Sequence, residues 1–186
     1  MLWARRKSWK MYWSGLVWTR VWHDLLLSAI PAMSADSVVL EIGSGRVPLE
    51  ISGCNYISVD LKRVVRFPGV IGSAEALPVR SDIADMVVGS RILCSVQSIS
   101  ATLLEIARVM KPGGIYVGLE HCKDPWLVFV GYQNVRNLFR ARRGLCRLGV
   151  DVCSELSLAG FDFSIRRTPL PLNPVIAFQA APRLGD

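Results

Sequence analysis

The chain has 186 residues, a formal net charge of +7, an apolar fraction of 51% and a mean hydropathy of +0.33. That length holds one α/β domain with a full core and leaves no room for two of comfortable size. The longest apolar runs fall short of the eighteen or so residues that a spanning helix needs, so no segment is expected to cross a membrane.

Residues 1–34 form an amino-terminal basic and aromatic segment, predicted helical, ahead of a domain at 35–186. Trp3, Trp9, Tyr12, Trp13, Trp18 and Trp22 alternate with Arg5, Arg6, Lys7, Lys10 and Arg20, and no acid occurs before Asp24. Trp9, Tyr12, Trp13, Leu16 and Val17 share one helical stripe. Such a stripe can cover a sheet, close over a ligand, or lie in a membrane interface, where Trp and basic residues are both favoured. No continuous apolar stretch follows the basic residues, which argues against a secretory signal. The expected location is cytoplasmic, peripheral at a membrane if the stripe binds lipid.

Val38 to Ile42 reads as a strand buried on both faces, as in a parallel sheet between helices. Gly43-Ser44-Gly45 follows as a sharp turn whose bare N–H groups can approach a ligand at the carboxyl edge of the sheet. The dinucleotide pattern G-x-G-x-x-G fails, because Pro48 stands at its last position. Tyr56–Asp60 is a second strand ending in a carboxylate suited to ribose hydroxyls, and a third strand lies near Val70. The crossovers between these strands are too short for full helices, so one face of the sheet is expected to be thinly covered and open to the amino-terminal helix, a membrane or a second copy in a homodimer. Ala84–Gly89 is the fourth strand, followed by the loop Ser90–Val96. Ser98 caps a helix at Ile99–Met110, Lys111-Pro112-Gly113-Gly114 stops it, and Ile115–Leu119 is the fifth strand. Asp124–Arg143 and Gly144–Ala159 are predicted helices, the second stopped by Gly160, and Phe161–Arg167 with Val175–Ala180 closes the chain as a hairpin.

The ordered set Glu41-Ile42-Gly43-Ser44-Gly45, Asp60, Gly72-Ser73-Ala74-Glu75, Asp85–Ser90 and Arg108-Val109-Met110-Lys111-Pro112-Gly113-Gly114 resembles the class I S-adenosylmethionine-dependent methyltransferases of the type 11 kind. The resemblance covers roughly residues 38–120. It implies an α/β fold: a Rossmann-like, doubly wound, seven-stranded sheet, mostly parallel, with an antiparallel carboxyl-terminal edge hairpin. It also implies S-adenosyl-L-methionine as cofactor, held by Glu41, Gly43, Ser44, Gly45, Asp60, Leu61, Ser73, Ala74, Glu75 and Ser90. Gly43 and Gly45 would meet the amino-acid moiety, Asp60 the ribose, and Ala74-Glu75 the adenine. Two departures stand out. Arg46-Val47-Pro48 replaces the third glycine of the turn, and Ser73 replaces the usual Asp, exchanging a charge-assisted hydrogen bond for a neutral one of about half its strength.

Leu93-Cys94-Ser95-Val96, Glu120-His121, Trp126 and Pro169-Leu170 with Pro174 are similar to the membrane-associated thiol methyltransferases. That weaker similarity implies a small apolar, thiol or lipid-like acceptor, with catalysis resting mainly on proximity. His121, following the fifth strand, is the candidate general base. Two other functions remain open. The net charge and Arg136, Arg140, Arg142, Arg143 and Arg147 would suit RNA phosphates or an anionic membrane surface, and hence an RNA methyltransferase. Alternatively, Pro48 and Ser73 mark a non-catalytic binding protein that keeps only the sheet. The five cysteines, Cys54, Cys94, Cys122, Cys146 and Cys153, are odd in number and lack a C-x-x-C pair, which argues against disulfides and zinc. With only His23 and His121 as histidines, a metal centre would be carboxylate-based, and no such cluster is evident; no metal is expected.

Overall fold

The computed structural model describes residues 22, 24–45, 49, 51–62, 69–124, 126–141, 146–167 and 175–183. The stripe Trp9–Val17, the turn residues Arg46, Val47 and Pro48, Arg142, Arg143, and the loop carrying Pro169, Leu170 and Pro174 lie outside them.

Seven strands form one sheet: β1 (Val38–Ile42), β2 (Asn55–Asp60), β3 (Gly69–Ile71), β4 (Ala84–Ser90), β5 (Met110–His121), β6 (Phe161–Arg167) and β7 (Val175–Pro182). Their spatial order is β3-β2-β1-β4-β5-β7-β6. β1 through β5 pair in parallel, whereas β7 pairs antiparallel with both β5 and β6. This is the seven-stranded class I architecture expected from the sequence. The order reverses between β1 and β4, where the chain has finished building outward on one side and begins on the other. Loops at the carboxyl ends of those strands splay apart there and leave a crevice.

Helix α1 (Ile99–Val109) buries Thr102, Leu103, Ile106 and Val109, one stripe at helical spacing, against the sheet. Ser98 caps it: the Ala101 N–H donates to Ser98 Oγ at 3.2 Å. Helix α2 (Leu127–Ala141) is shorter at its start than the predicted 124–143. The Asp124 carboxylate accepts the Trp126 N–H at 3.0 Å, turning the chain before the helix begins. Helix α3 (Val152–Leu158) corrects the prediction of a helix from residue 144. Residues 146–151 are not helical, because Asn137 holds both the N–H and the carbonyl of Leu148, each at 2.7 Å, and Asp151 caps the helix from its own position. Strand β5 also begins earlier than predicted. Its register jumps from Ala84 opposite Met110 to Met86 opposite Ile115, so residues 111–114 form a bulge, with Gly113 at φ +80°.

Two cores flank the sheet. On one face α1 and α3 cover Leu40, Val87, Tyr116 and Phe178. On the other, Val39, Met86, Val88, Val117 and Ala177 lie under Trp22, Leu25, Leu26, Ala29, Ile30 and Met33, with residues 24–28 helical. Gln179 Nε2 donates to the Ala29 carbonyl at 2.7 Å, pinning this stretch to β7. Residues 22–33 thus cover this face of the sheet, while the stripe Trp9–Val17, whose three placements the sequence leaves open, lies outside the described residues.

Candidate active site

The crevice at the reversal of strand order holds a cavity of about 540 Å³, within the range of small-molecule sites. One end is bounded by Gly43, Asp60, Leu61 and Ser73–Glu75, the other by Ser90–Ile92, Ser95–Gln97 and Cys146.

At the first end, Gly43 has φ +69°, and a Cβ placed there would stand 1.8 Å from Ile92 Cδ1. Only glycine lets the chain turn this tightly against the cavity wall. The Gly45 N–H donates to Asp60 Oδ2 and the Lys62 N–H to Asp60 Oδ1, both at 2.9 Å. Asp60 therefore joins the turn after β1 to the end of β2, and each of its oxygens keeps a lone pair for a ligand. Ser44 is buried, and its Oγ has no hydrogen-bond partner among the described residues. A bare glycine turn and an anchored carboxylate on the cavity wall fit a nucleoside with an amino-acid tail.

Three of the residues assigned to the cofactor have partners inside the fold. Glu41 does not line the cavity. Its carboxylate is buried behind the turn, accepting the Leu49 N–H and the Tyr56 hydroxyl, and burial raises its pKa to about 7 against the lowering effect of those bonds. Glu75 lines the cavity, but its Oε1 accepts the Gln97 and Ser98 N–H groups at 2.6 and 2.8 Å, so it braces the start of α1. Ser73, in the place of the expected Asp, accepts the Glu75 N–H at 3.2 Å and shapes that same turn. Leu61, Ala74 and Ser90 line the cavity, as the resemblance implies.

The second end rests on Glu120. This fully buried carboxylate accepts the Leu93 N–H at 2.7 Å and the Cys94 N–H at 3.1 Å, locking the loop after β4 onto the end of β5. Burial raises its pKa to about 7, the two N–H donors pulling the other way. Arg91 opens that loop at φ +60°, its N–H donating to Leu119 O at 2.7 Å and its guanidinium lying over Trp22. A left-handed arginine is strained, and strain of this kind collects at ligand sites.

His121, the candidate general base, lies deeper. It is buried, with Trp22 edge-on to its ring, and it stands behind the cavity wall rather than on it. Its Nδ1 faces two sulfurs, Cys94 Sγ at 3.6 Å and Cys146 Sγ at 3.5 Å. Cys146 is the member that reaches the cavity. The Cys94 thiol, His121 and Arg140 Nη2 at 3.0 Å surround its sulfur, which lowers its pKa and favours the thiolate there; Cys94 is pushed up as its partner ionises. In the sequence the cysteines read only as an odd, scattered set that argues against disulfides and zinc, with no role for Cys146. Nothing in its spacing could reveal the pairing, since these cysteines lie 27 and 25 residues on either side of His121.

Two of the arginines read as a phosphate-binding cluster are used internally. Arg140 Nε donates to the Cys146 carbonyl at 2.7 Å, and Arg147 Nη2 to the Val96 carbonyl at 2.9 Å. Arg147 nonetheless stays exposed, and Arg136, half-buried, stacks on Tyr132.

Residues 40–118 match the family model described as a methyltransferase domain. Human thiol S-methyltransferase TMT1B is 33% identical over 92 residues, which are 48% of this chain and 38% of that protein, so the match spans well under half of the relative's length. Among solved structures, YcgJ of Bacillus subtilis superposes with a TM-score of 0.70 at 16% identity, covering 90% of this chain and 100% of that one. A possible histamine N-methyltransferase from Thermotoga maritima superposes at 0.65 with 17% identity, covering 86% of each. At such identities the structures establish the common fold.

Proposed function

We propose, from the class I S-adenosylmethionine-dependent methyltransferase domain that this chain carries, that it moves the methyl group of S-adenosyl-L-methionine to a small apolar thiol. The observation that carries this reading is the two-ended cavity. Its Gly43–Asp60–Ala74 end has the groups to hold the cofactor, and its other end presents Ile92, Val96 and the Cys146 sulfur among the polar Ser90, Arg91, Ser95 and Gln97 where an acceptor would lie. The cofactor supplies a methyl already activated on a sulfonium, so the protein's task is alignment within about 3–3.5 Å and exclusion of water. Arg91, Ile92 and Val96 form the wall that does so, with Trp22 stacked on Arg91. The thiol class is taken from the human relative, named a thiol S-methyltransferase, with Ile92, Val96 and Cys146 as the apolar and sulfur groups on the wall.

The same reading includes contact with an anionic lipid surface, from which an apolar thiol would be drawn. Tyr132, Val135, Leu138 and Phe139 are exposed along α2, beside Arg136, on a chain of net charge +7. No helix among the described residues is long and apolar enough to cross a membrane. RNA is the second reading: Arg140 is held against the Cys146 carbonyl, while Arg147 bonds the Val96 carbonyl from an exposed position.

The test is calorimetric titration of the full chain with S-adenosylmethionine, followed by mass-spectrometric detection of methylated product from parallel alkyl thiol, alcohol and amine acceptors. Binding with methylation of the thiol alone is the expected result. A folded sample that binds no cofactor would refute the enzymatic reading, and methylation of the alcohol or amine instead would refute the acceptor class.

A further inference from the structure

Cys94, His121 and Cys146 come from three separate parts of the chain: the loop after β4, the last residue of β5 and the segment following α2. Their ligand-capable atoms all lie within 4.8 Å of one another. Both sulfurs converge on one nitrogen, at 3.6 and 3.5 Å. An imidazole nitrogen carries a single in-plane proton or a single lone pair, so it cannot make two good hydrogen bonds in that plane. A cation seated among the three atoms would satisfy all of them at once. With zinc-to-sulfur and zinc-to-nitrogen distances of about 2.3 and 2.05 Å, tetrahedral geometry requires a sulfur-to-nitrogen edge of about 3.6 Å. Both observed separations match it.

We propose that Cys94 Sγ, His121 Nδ1 and Cys146 Sγ form a zinc site whose fourth position opens toward the cavity and binds the acceptor thiol as a thiolate. The part concerning the acceptor rests on the methyl-transfer reading above; the metal site does not. Three protein ligands and one open position is the arrangement of catalytic zinc, whereas structural zinc is closed by four. Two thiolates neutralise the ion, and Cys146, which lines the cavity, brings the cluster to its wall.

The surroundings hold the ligands in place before any metal arrives. Glu120 fixes the Cys94 backbone, Arg140 Nε fixes the Cys146 carbonyl, and the Arg147 N–H donates to the Cys94 carbonyl at 2.7 Å, stitching the two cysteine segments together. Arg140 Nη2, 3.0 Å from Cys146 Sγ, is an outer donor to a bound thiolate. Trp22 packs edge-on against the imidazole and limits its rotation. In the metal-free thiol form Cys94 can donate to the Arg91 carbonyl at 3.4 Å, which is the competing state.

The chemistry balances. The acceptor loses its S–H proton to solvent on binding zinc. Its sulfur then forms the new carbon–sulfur bond as the methyl–sulfonium bond breaks, the donor leaves as a neutral thioether, and no oxidant or reductant is consumed. A zinc-held thiolate stays nucleophilic at neutral pH, which removes the need for His121 as a base and explains why that residue stands behind the wall.

The experiment uses the full chain, purified with a phosphine reductant and no thiol. Zinc content is measured by elemental analysis, and cobalt(II) is substituted to read the thiolate-to-cobalt charge-transfer band. The expected result is about one equivalent of zinc and a charge-transfer band that shifts when a simple alkyl thiol is added. Cys94→Ser, Cys146→Ser and His121→Ala should each weaken zinc binding by more than about 100-fold, the upper end of the loss from removing only an outer partner. Cys153→Ser, away from the cluster, should bind as wild type. Cofactor titration of every variant checks folding. A folded wild type without the band, a Cys94–Cys146 disulfide in its place, or full zinc retention by both serine variants would overturn the site. A band indifferent to added thiol would overturn the open position. Zinc binding without cofactor binding would uphold the metal site while refuting methyl transfer, and cofactor binding without zinc would do the reverse.

Discussion

Gly43→Ala should destabilise the domain and injure the cofactor end of the cavity together, by an amount that can be divided into two causes. The residue sits at φ +69°, where a side chain with a Cβ costs about 1–2 kcal/mol. The new methyl would also stand 1.8 Å from Ile92 Cδ1 and 3.0 Å from Cγ1. Ile92 must shift, and overpacking of this kind costs about 1–3 kcal/mol, so the variant should lose about 2–5 kcal/mol in all. Ile92→Val removes the Cδ1 atom and alone should cost about 0.5–1.5 kcal/mol. The double variant should then be more stable than the sum of the two losses predicts by about 1–2 kcal/mol, since the backbone strain persists while the worst overlap is gone. Urea denaturation of the four proteins, with m unchanged, supplies the cycle. Because Ile92 lines the cavity, S-adenosylmethionine affinity should fall in Gly43→Ala and partly recover in the double variant. Losses that add to within about 0.5 kcal/mol would refute the argument that Gly43 is glycine because of Ile92.

Asp60→Ala should weaken S-adenosylmethionine binding about ten- to a hundredfold, for the loss of a charge-assisted contact, and unchanged calorimetric affinity would move the cofactor elsewhere. Glu120 and Glu41 should make the protein less stable as pH rises. Their pKa values stand near 7 when folded against 4.5 for the model group, so their contribution is complete below about pH 4.5 and lost through pH 7, about 3 kcal/mol each. Asp85 and Glu105, lowered chiefly by Lys111 and Arg108, act in the opposite sense below that window, and Cys146, lowered chiefly by the Cys94 thiol, acts so across it, offsetting one of the two carboxyls. Melting temperatures from pH 5.5 to 7 should therefore fall, and Glu120→Gln should flatten that slope; an identical slope in the variant would contradict the assignment. Flotation with anionic vesicles should show binding that declines with salt, with Phe139→Ser weakening it, while gel shifts with RNA stay negative; a positive RNA shift with no flotation would reverse the choice of partner.

The architecture was legible in the sequence because it depends on local chemistry. Buried apolar runs such as Val38–Ile42 and Ala84–Gly89, the glycines after β1 and the carboxylate at Asp60 each act over a few residues, and their order is enough to specify strand, turn and cofactor edge. Boundaries were less legible where a distant partner decides them. The helix predicted from residue 144 does not begin until Val152, because Asn137 claims the Leu148 peptide, a contact across eleven positions that periodicity cannot register. Roles diverged from position for the same reason. Glu41 and Glu75 stand where the resemblance puts cofactor ligands, yet one carboxylate is turned inward to Tyr56 and the other to the start of α1. The cluster of Cys94, His121 and Cys146 depended on tertiary structure entirely. A metal-ligand motif can be read from a sequence when one turn brings its members together, but here a strand end, a loop and a segment beyond a helix meet only after β4 and β5 have paired and Arg147 has bonded back to Cys94.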